Sequence, residues 1–214
     1  MALGPSIRRL LSPRLARRAG NWYRTIFVDL GKVAVVLASV IPRDAHVLDI
    51  GGGDGQPLNH LLALRPDLLI TTLDPAPVVG QWIDERFSTR VTRLPGTSLE
   101  QYLSRGGTIP DAILIADVLH HIPESARSRF FDSVRVLLER APRLRIIVKD
   151  VEPGSWRAQL GYWSDLYITG DRQVGLISRE GVARLLEESL GPLHREDTNL
   201  FKLDKPNYAM TFYR

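Results

Sequence analysis

Cysteine is absent from all 214 positions. Its absence removes disulfide cross-links, thiolate metal sites and thiol nucleophiles together. Long apolar runs are also missing. The longest near the start, residues 33–41, is nine residues interrupted by Ser39, well short of the ~20 that cross a bilayer. The first residues lack the continuous apolar stretch of a secretory leader, so a cytoplasmic protein is expected. Neither repeats nor low-complexity segments occur. With 44% hydrophobic and 24% charged residues, the composition is that of one ordinary globular domain with a sizeable core.

Acidic residues are missing from one end. Residues 1–28 contain six arginines (Arg8, Arg9, Arg14, Arg17, Arg18 and Arg24) and no acid. Of the chain's 28 basic side chains, 22 therefore face all 24 acids in the remainder. The body is near neutral, which argues against a nucleic-acid substrate. Leu10, Leu11 and Leu15 interleave with the arginines, but Pro13 interrupts any helix. The arm reads as a solvated or domain-packing segment. Contact of the arm with nucleic acid, or peripheral contact of residues 1–24 with an anionic membrane, is the competing reading.

What is present begins at residues 47–55, Val-Leu-Asp-Ile-Gly-Gly-Gly-Asp-Gly. An apolar run carrying Asp49 breaks into Gly51, Gly52, Gly53 and Gly55, the pattern of a buried strand and a tight turn. Glycine lets that turn adopt positive φ and admits a ligand without a Cβ in the way. An acid at this edge is a poor neighbour for phosphate, which calls for N–H donors and a cation. It suits ammonium, sulfonium and hydroxyl groups. The spacing is not that of a dinucleotide-binding turn, and no P-loop lysine follows. A second apolar run, residues 68–73, ends in Asp74, where ribose hydroxyls would be held.

The remaining chain alternates between helix and strand patterns. Helices are expected over residues 26–41, 58–64, 77–87, 98–103, 124–140 and from Ser178 to 190. Strands are expected over 47–50, 68–73, 90–94, 112–116, 143–148, 195–203 and 207–214. This order implies an α/β fold: a doubly wound, mostly parallel seven-stranded sheet in a three-layer sandwich, ending in a C-terminal antiparallel hairpin. Residues 1–42 form an arm and helix capping the substrate side, and 43–214 form the main domain.

From residue 45 to the end, these features resemble the class I S-adenosylmethionine-dependent methyltransferases of small-molecule type. The Asp-x-Gly-x-Gly-x-Gly run matches the family's first motif, and Asp74-Pro75 the ribose-binding acid and its neighbour. Residues 111–123 resemble the fourth-strand motif, with Asp117, Val118 and then His120-His121. The resemblance implies S-adenosylmethionine as cofactor, S-adenosylhomocysteine as product and a small-molecule acceptor, most simply methylated at oxygen. A homodimer is compatible with it. Where the family often has an acid contacting adenine, this chain has Gly96-Thr97-Ser98, so hydroxyls take that role. The missing cysteine excludes cytosine-C5 methylation. The Asn-Pro-Pro-aromatic run used on exocyclic base amines is replaced by Asp117-Val118-Leu119-His120.

An oxygen acceptor calls for a general base. His120, His121, Lys149 and Asp150 are the catalytic candidates, with Glu152 nearby. The adjacent histidines point about 100° apart on a helical turn and cannot both face one pocket. Each has a second reading as a structural histidine, and Lys149 and Asp150 as a local ion pair or cap. No metal is expected, because Lys149-Asp150-Val151 lacks the asparagine of the metal-dependent enzymes and puts a cation beside the acid, which repels a divalent ion. Residues 152–177 bring Trp156, Tyr162, Trp163 and Tyr167 close together in sequence. They are the expected acceptor-binding wall or lid. Two rival functions stand beside this one: methylation of a membrane lipid or quinone precursor, and a non-catalytic cofactor-binding subunit.

Overall fold

The computed structural model describes residues 29–154, 175–197 and 207–214. Helix α1 (Leu30–Val40) opens at Asp29, whose side chain accepts from the Lys32 amide. Strand β1 (His46–Ile50) leads through the glycine turn directly into α2 (Gln56–Leu64), which has Pro57 in its first turn. Next come β2 (Leu69–Asp74), β3 (Val91–Pro95), α3 (Leu99–Ser104) and β4 (Ala112–Ala116). The chain continues with α4 (Glu124–Arg140), β5 (Arg145–Val151), α5 (Arg179–Leu190), β6 (His194–Asp197) and β7 (Asn207–Tyr213).

The seven strands form one sheet in the order β3-β2-β1-β4-β5-β7-β6. The first five are parallel, and β7 runs antiparallel to both neighbours. The expected doubly wound sheet with a terminal hairpin is thus the architecture found. Alternation along each strand sends side chains to two separate cores. Val47, Ile70, Leu114 and Ile147 pack with Val33 and Leu37 of α1 and Leu58, Leu61 and Leu62 of α2. Leu48, Ile113, Ile115, Ile146 and Val148 pack with Phe131 and Leu138 of α4 and Val182 and Leu186 of α5. The sheet reverses its winding between β1 and β4. The crevice at the carboxyl ends of those strands is where open α/β sheets take ligands.

Two expectations are corrected. Residues 77–87 do not form an α-helix; a 3-10 helix covers only Glu85–Arg90. Val79, Ile83 and Phe87 are buried as their spacing suggested, but the backbone is committed elsewhere. The Gly80 amide donates to the Gly53 carbonyl (2.8 Å) and the Trp82 amide to the Asp54 carbonyl (2.9 Å). Gly80 itself has φ +63°, outside the helical region. The second correction concerns β5, which runs three residues beyond its apolar stretch. Lys149, Asp150 and Val151 pair with Ala209, Tyr208 and Asn207 of β7, so ladder bonds carry the strand through two charged positions.

Candidate functional site

The glycine turn sits at the crevice. Gly51, Gly53 and Gly55 have φ of +73°, +52° and +76°, conformations that L side chains rarely adopt. Amides of Gly51 and Gly52 both donate to the Leu73 carbonyl, at 2.8 and 3.1 Å, locking the turn onto β2. A Cβ on Gly52 would lie 1.8 Å from Thr72 Oγ1 and 2.4 Å from Asp49 Oδ2. Among the described residues, a Cβ on Gly53 would meet nothing nearer than the Gly51 carbonyl oxygen at 4.0 Å. One glycine is therefore dictated by packing and the next by backbone shape, which leaves an open cradle.

Asp49 is only 4% exposed. Its Oδ2 accepts from the Thr72 hydroxyl at 2.7 Å. Burial, above all, pushes its carboxyl up to about 6; the Thr72 bond opposes that, and the Asp74 charge adds to it. Asp74 lies across the turn, its Oδ2 accepting from the Gly53 amide (3.0 Å) and Oδ1 from the Ala76 amide (2.8 Å). Exposed Pro75 follows it. Thr97 is buried beside this edge, its amide donating to the Asp74 carbonyl at 2.9 Å and its hydroxyl to the Pro95 carbonyl at 3.2 Å. Ser98 caps α3 in a reciprocal capping box with Gln101. Both hydroxyls expected near adenine thus already have local partners.

At the ends of β4 and β5, the catalytic candidates separate into two groups. Lys149, 2% exposed, donates from Nζ to Asp117 Oδ1 and Oδ2 at 2.6 and 2.7 Å. Asp117 has φ +57° and donates its amide to the Lys149 carbonyl at 2.8 Å. Asp150, fully buried, faces the opposite core and lies 2.6 Å from His120 Nδ1 through its Oδ1. That oxygen also accepts from the Val151 amide (2.8 Å). It is therefore an acceptor, and Nδ1 is the donor. Among the described residues, the buried Oδ2 of Asp150 has no hydrogen-bond partner. His120 and His121 lie in a 3-10 turn, Leu119–His121, with ring centroids 4.2 Å apart. Glu152 accepts from the Arg179 amide (2.9 Å) and so caps α5. Val118 packs against Gly51, where a Cβ would lie 2.6 Å from its Cγ2.

A cavity of about 70 Å³ opens at the crevice, between the sheet and α1 and α2. Asp49, Gly51, Gly52, Asp117 and Lys149 line its polar end, and Val33, Leu37, Leu58 and Leu61 its apolar walls. Thr72 and the α1 lining residues are missing from the sequence-based set. Thr72 had one available signal, a hydroxyl facing inward two positions before Asp74. Trp156, Tyr162, Trp163 and Tyr167 lie outside the described residues, as does the arginine arm. Among the described residues, no group of three or more His, Asp or Glu side chains could hold a metal ion, and no helix is long and apolar enough to cross a membrane.

No protein-family model matches the chain. Over 135 residues it is 29% identical to the demethylspheroidene O-methyltransferase of Rhodobacter capsulatus, covering 62% of this chain and 33% of that protein. Human N-acetylserotonin methyltransferase, solved in complex with SAM, superposes with a TM-score of 0.64 at 18% identity, over 86% of this chain and 51% of that one. The mitomycin 7-O-methyltransferase superposes with a TM-score of 0.62 at 23% identity, over 86% and 53%. The chain spans a third of the curated relative's length and about half of each of these structures. These likenesses establish the fold, that of the class I methyltransferases.

Proposed function

We propose that this protein is an S-adenosylmethionine-dependent methyltransferase that methylates an oxygen of a small organic molecule of natural-product type. The observation that carries the reading is the buried His120–Asp150 pair at the carboxyl ends of β4 and β5, in a sheet whose β1 end carries an open glycine cradle. The cradle fits the cofactor: glycines at positive φ, a carboxylate at the end of β2 for ribose hydroxyls, and a buried acid at its base. When bound, S-adenosylmethionine supplies a methyl group already activated on sulfur.

The chain must then align the acceptor, exclude water and take up a proton. With its Nδ1–H directed at Asp150, His120 carries its lone pair on Nε2, the nitrogen suited to receive the acceptor's proton. Asp150 fixes that tautomer and stabilises the imidazolium that forms. Residues 152–177, with Trp156, Tyr162, Trp163 and Tyr167, are the proposed acceptor wall or lid.

Isothermal titration with S-adenosylmethionine tests the cofactor assignment. Micromolar binding that Asp74→Ala weakens tenfold or more is expected. Absence of binding, or undiminished binding by that variant, overturns it. One observation favours a lipid-like acceptor as a second reading: the six arginines and no acid of residues 1–28. Co-sedimentation with anionic vesicles, lost on removing residues 1–24, would support it.

A further inference from the structure

Lys149 is a buried ammonium with unusual company. It is 2% exposed, and its partner carboxylate, Asp117, is 45% exposed. Taking an ammonium out of water is costly without a counter-ion, so Lys149 requires a carboxylate at this position. Asp117 has no such requirement, because it can turn outward into solvent. Two of the three ammonium protons bond Asp117, and the third has no acceptor among the described residues.

The opposite charge lies in the same cavity. Asp49, 4% exposed, lines it together with Lys149, against glycine backbone and aliphatic side chains. Only its Oδ2 accepts a hydrogen bond among the described residues. A small cavity holding one buried acid and one buried base matches a ligand group that carries both signs on neighbouring atoms. The cavity, about 70 Å³, is small and suits a compact zwitterionic group such as an α-amino-acid head.

We propose that Lys149 is the receptor for the carboxylate of the cofactor's amino-acid tail, and that Asp117 holds this place as an internal stand-in which the ligand displaces. The proposal rests on the S-adenosylmethionine reading above. Asp49 takes the ammonium of the same tail. Lys149 then acts in cofactor binding and not in proton transfer, and Asp117 sets the affinity by competing for the same ammonium.

The test is calorimetric titration of the full chain with two thioethers, S-adenosylhomocysteine and 5′-methylthioadenosine, the second lacking the amino-acid end. Lys149→Met should weaken S-adenosylhomocysteine about thirtyfold and leave 5′-methylthioadenosine within about twofold. Asp117→Asn, an exchange tolerated at positive φ, should tighten S-adenosylhomocysteine threefold or more without changing the truncated ligand. Equal weakening of both ligands by Lys149→Met, no weakening of either, or weaker S-adenosylhomocysteine binding by Asp117→Asn overturns the proposal. Wild-type protein that binds neither thioether refutes the cofactor reading itself. Should Lys149→Met not fold, the Asp117→Asn titration decides alone.

Discussion

Lys149 and Asp150 are neighbours in sequence whose side chains leave opposite faces of β5, one to Asp117 and the α1–α2 cavity, the other to His120. One strand end thereby presents opposite charges to two different surroundings. In the proposed reading, the lysine serves the cofactor and the aspartate the acceptor's proton. Of the four catalytic candidates, Lys149 pairs with Asp117 and Asp150 with His120, while the His121 ring lies against that of His120.

That division predicts separable kinetics. His120→Ala should lower kcat by about 10²–10⁴, the usual contribution of a positioned base, while the cofactor's Kd stays within threefold. Asp150→Asn should lower kcat less and alter the pH–rate profile, since the amide orients the ring but does not stabilise its charged form. Steady-state kinetics with parallel titration checks both. Equal losses in cofactor affinity would make the pair structural.

Asp49 should impose a pH dependence on stability and on binding. Its carboxyl is raised by burial from 3.8 to about 6, so the folded state holds the proton more tightly than the unfolded chain. The ionised form is therefore disfavoured by folding. Its cost is absent below pH ~4, grows between ~4 and ~6 and is constant above, reaching about 3 kcal/mol at 1.36 kcal/mol per unit. Asp49→Asn should raise the Tm at pH 7.5 and lose that advantage at pH 4. In wild type, cofactor affinity should fall as pH drops below ~6, because a ligand ammonium calls for the carboxylate. Denaturation and titration series over pH 4–8 measure both effects.

The glycine turn predicts a contrast between neighbours. Gly52→Ala puts a methyl 1.8 Å from Thr72 Oγ1, so it should abolish cofactor binding and destabilise by about 1–3 kcal/mol. Gly53→Ala has open space and φ +52°, so it should cost only ~1–2 kcal/mol of backbone strain. Thermal melts and cofactor titrations of the two variants distinguish packing from conformation.

The aromatic segment yields a prediction that rests on sequence alone. Trp156→Ala and Tyr162→Ala should raise the acceptor's KM or lower kcat, and shift cofactor Kd by less than about threefold. Loss of cofactor binding in these variants would make the segment structural. Unchanged kinetics would put the acceptor pocket elsewhere.

Much of this architecture is written locally. The apolar runs of β1, β2 and β4, the glycines between β1 and α2, the limits of α4, and Ser178 as a helix cap follow from periodicity and capping chemistry. These depend on side chains and backbone groups a few residues apart, so a linear pattern records them. What the linear pattern could not specify depends on partners distant in sequence. The amides of Gly80 and Trp82 go to the glycine turn instead of to a helix. Strand β5 continues through Lys149 and Asp150 because β7 supplies its ladder. Once that strand is extended, its pleat sends the two charges to opposite faces, pairing one with Asp117 and the other with His120. Apolar spacing shows that a residue is buried; only the assembled sheet decides which backbone it bonds and which face it meets.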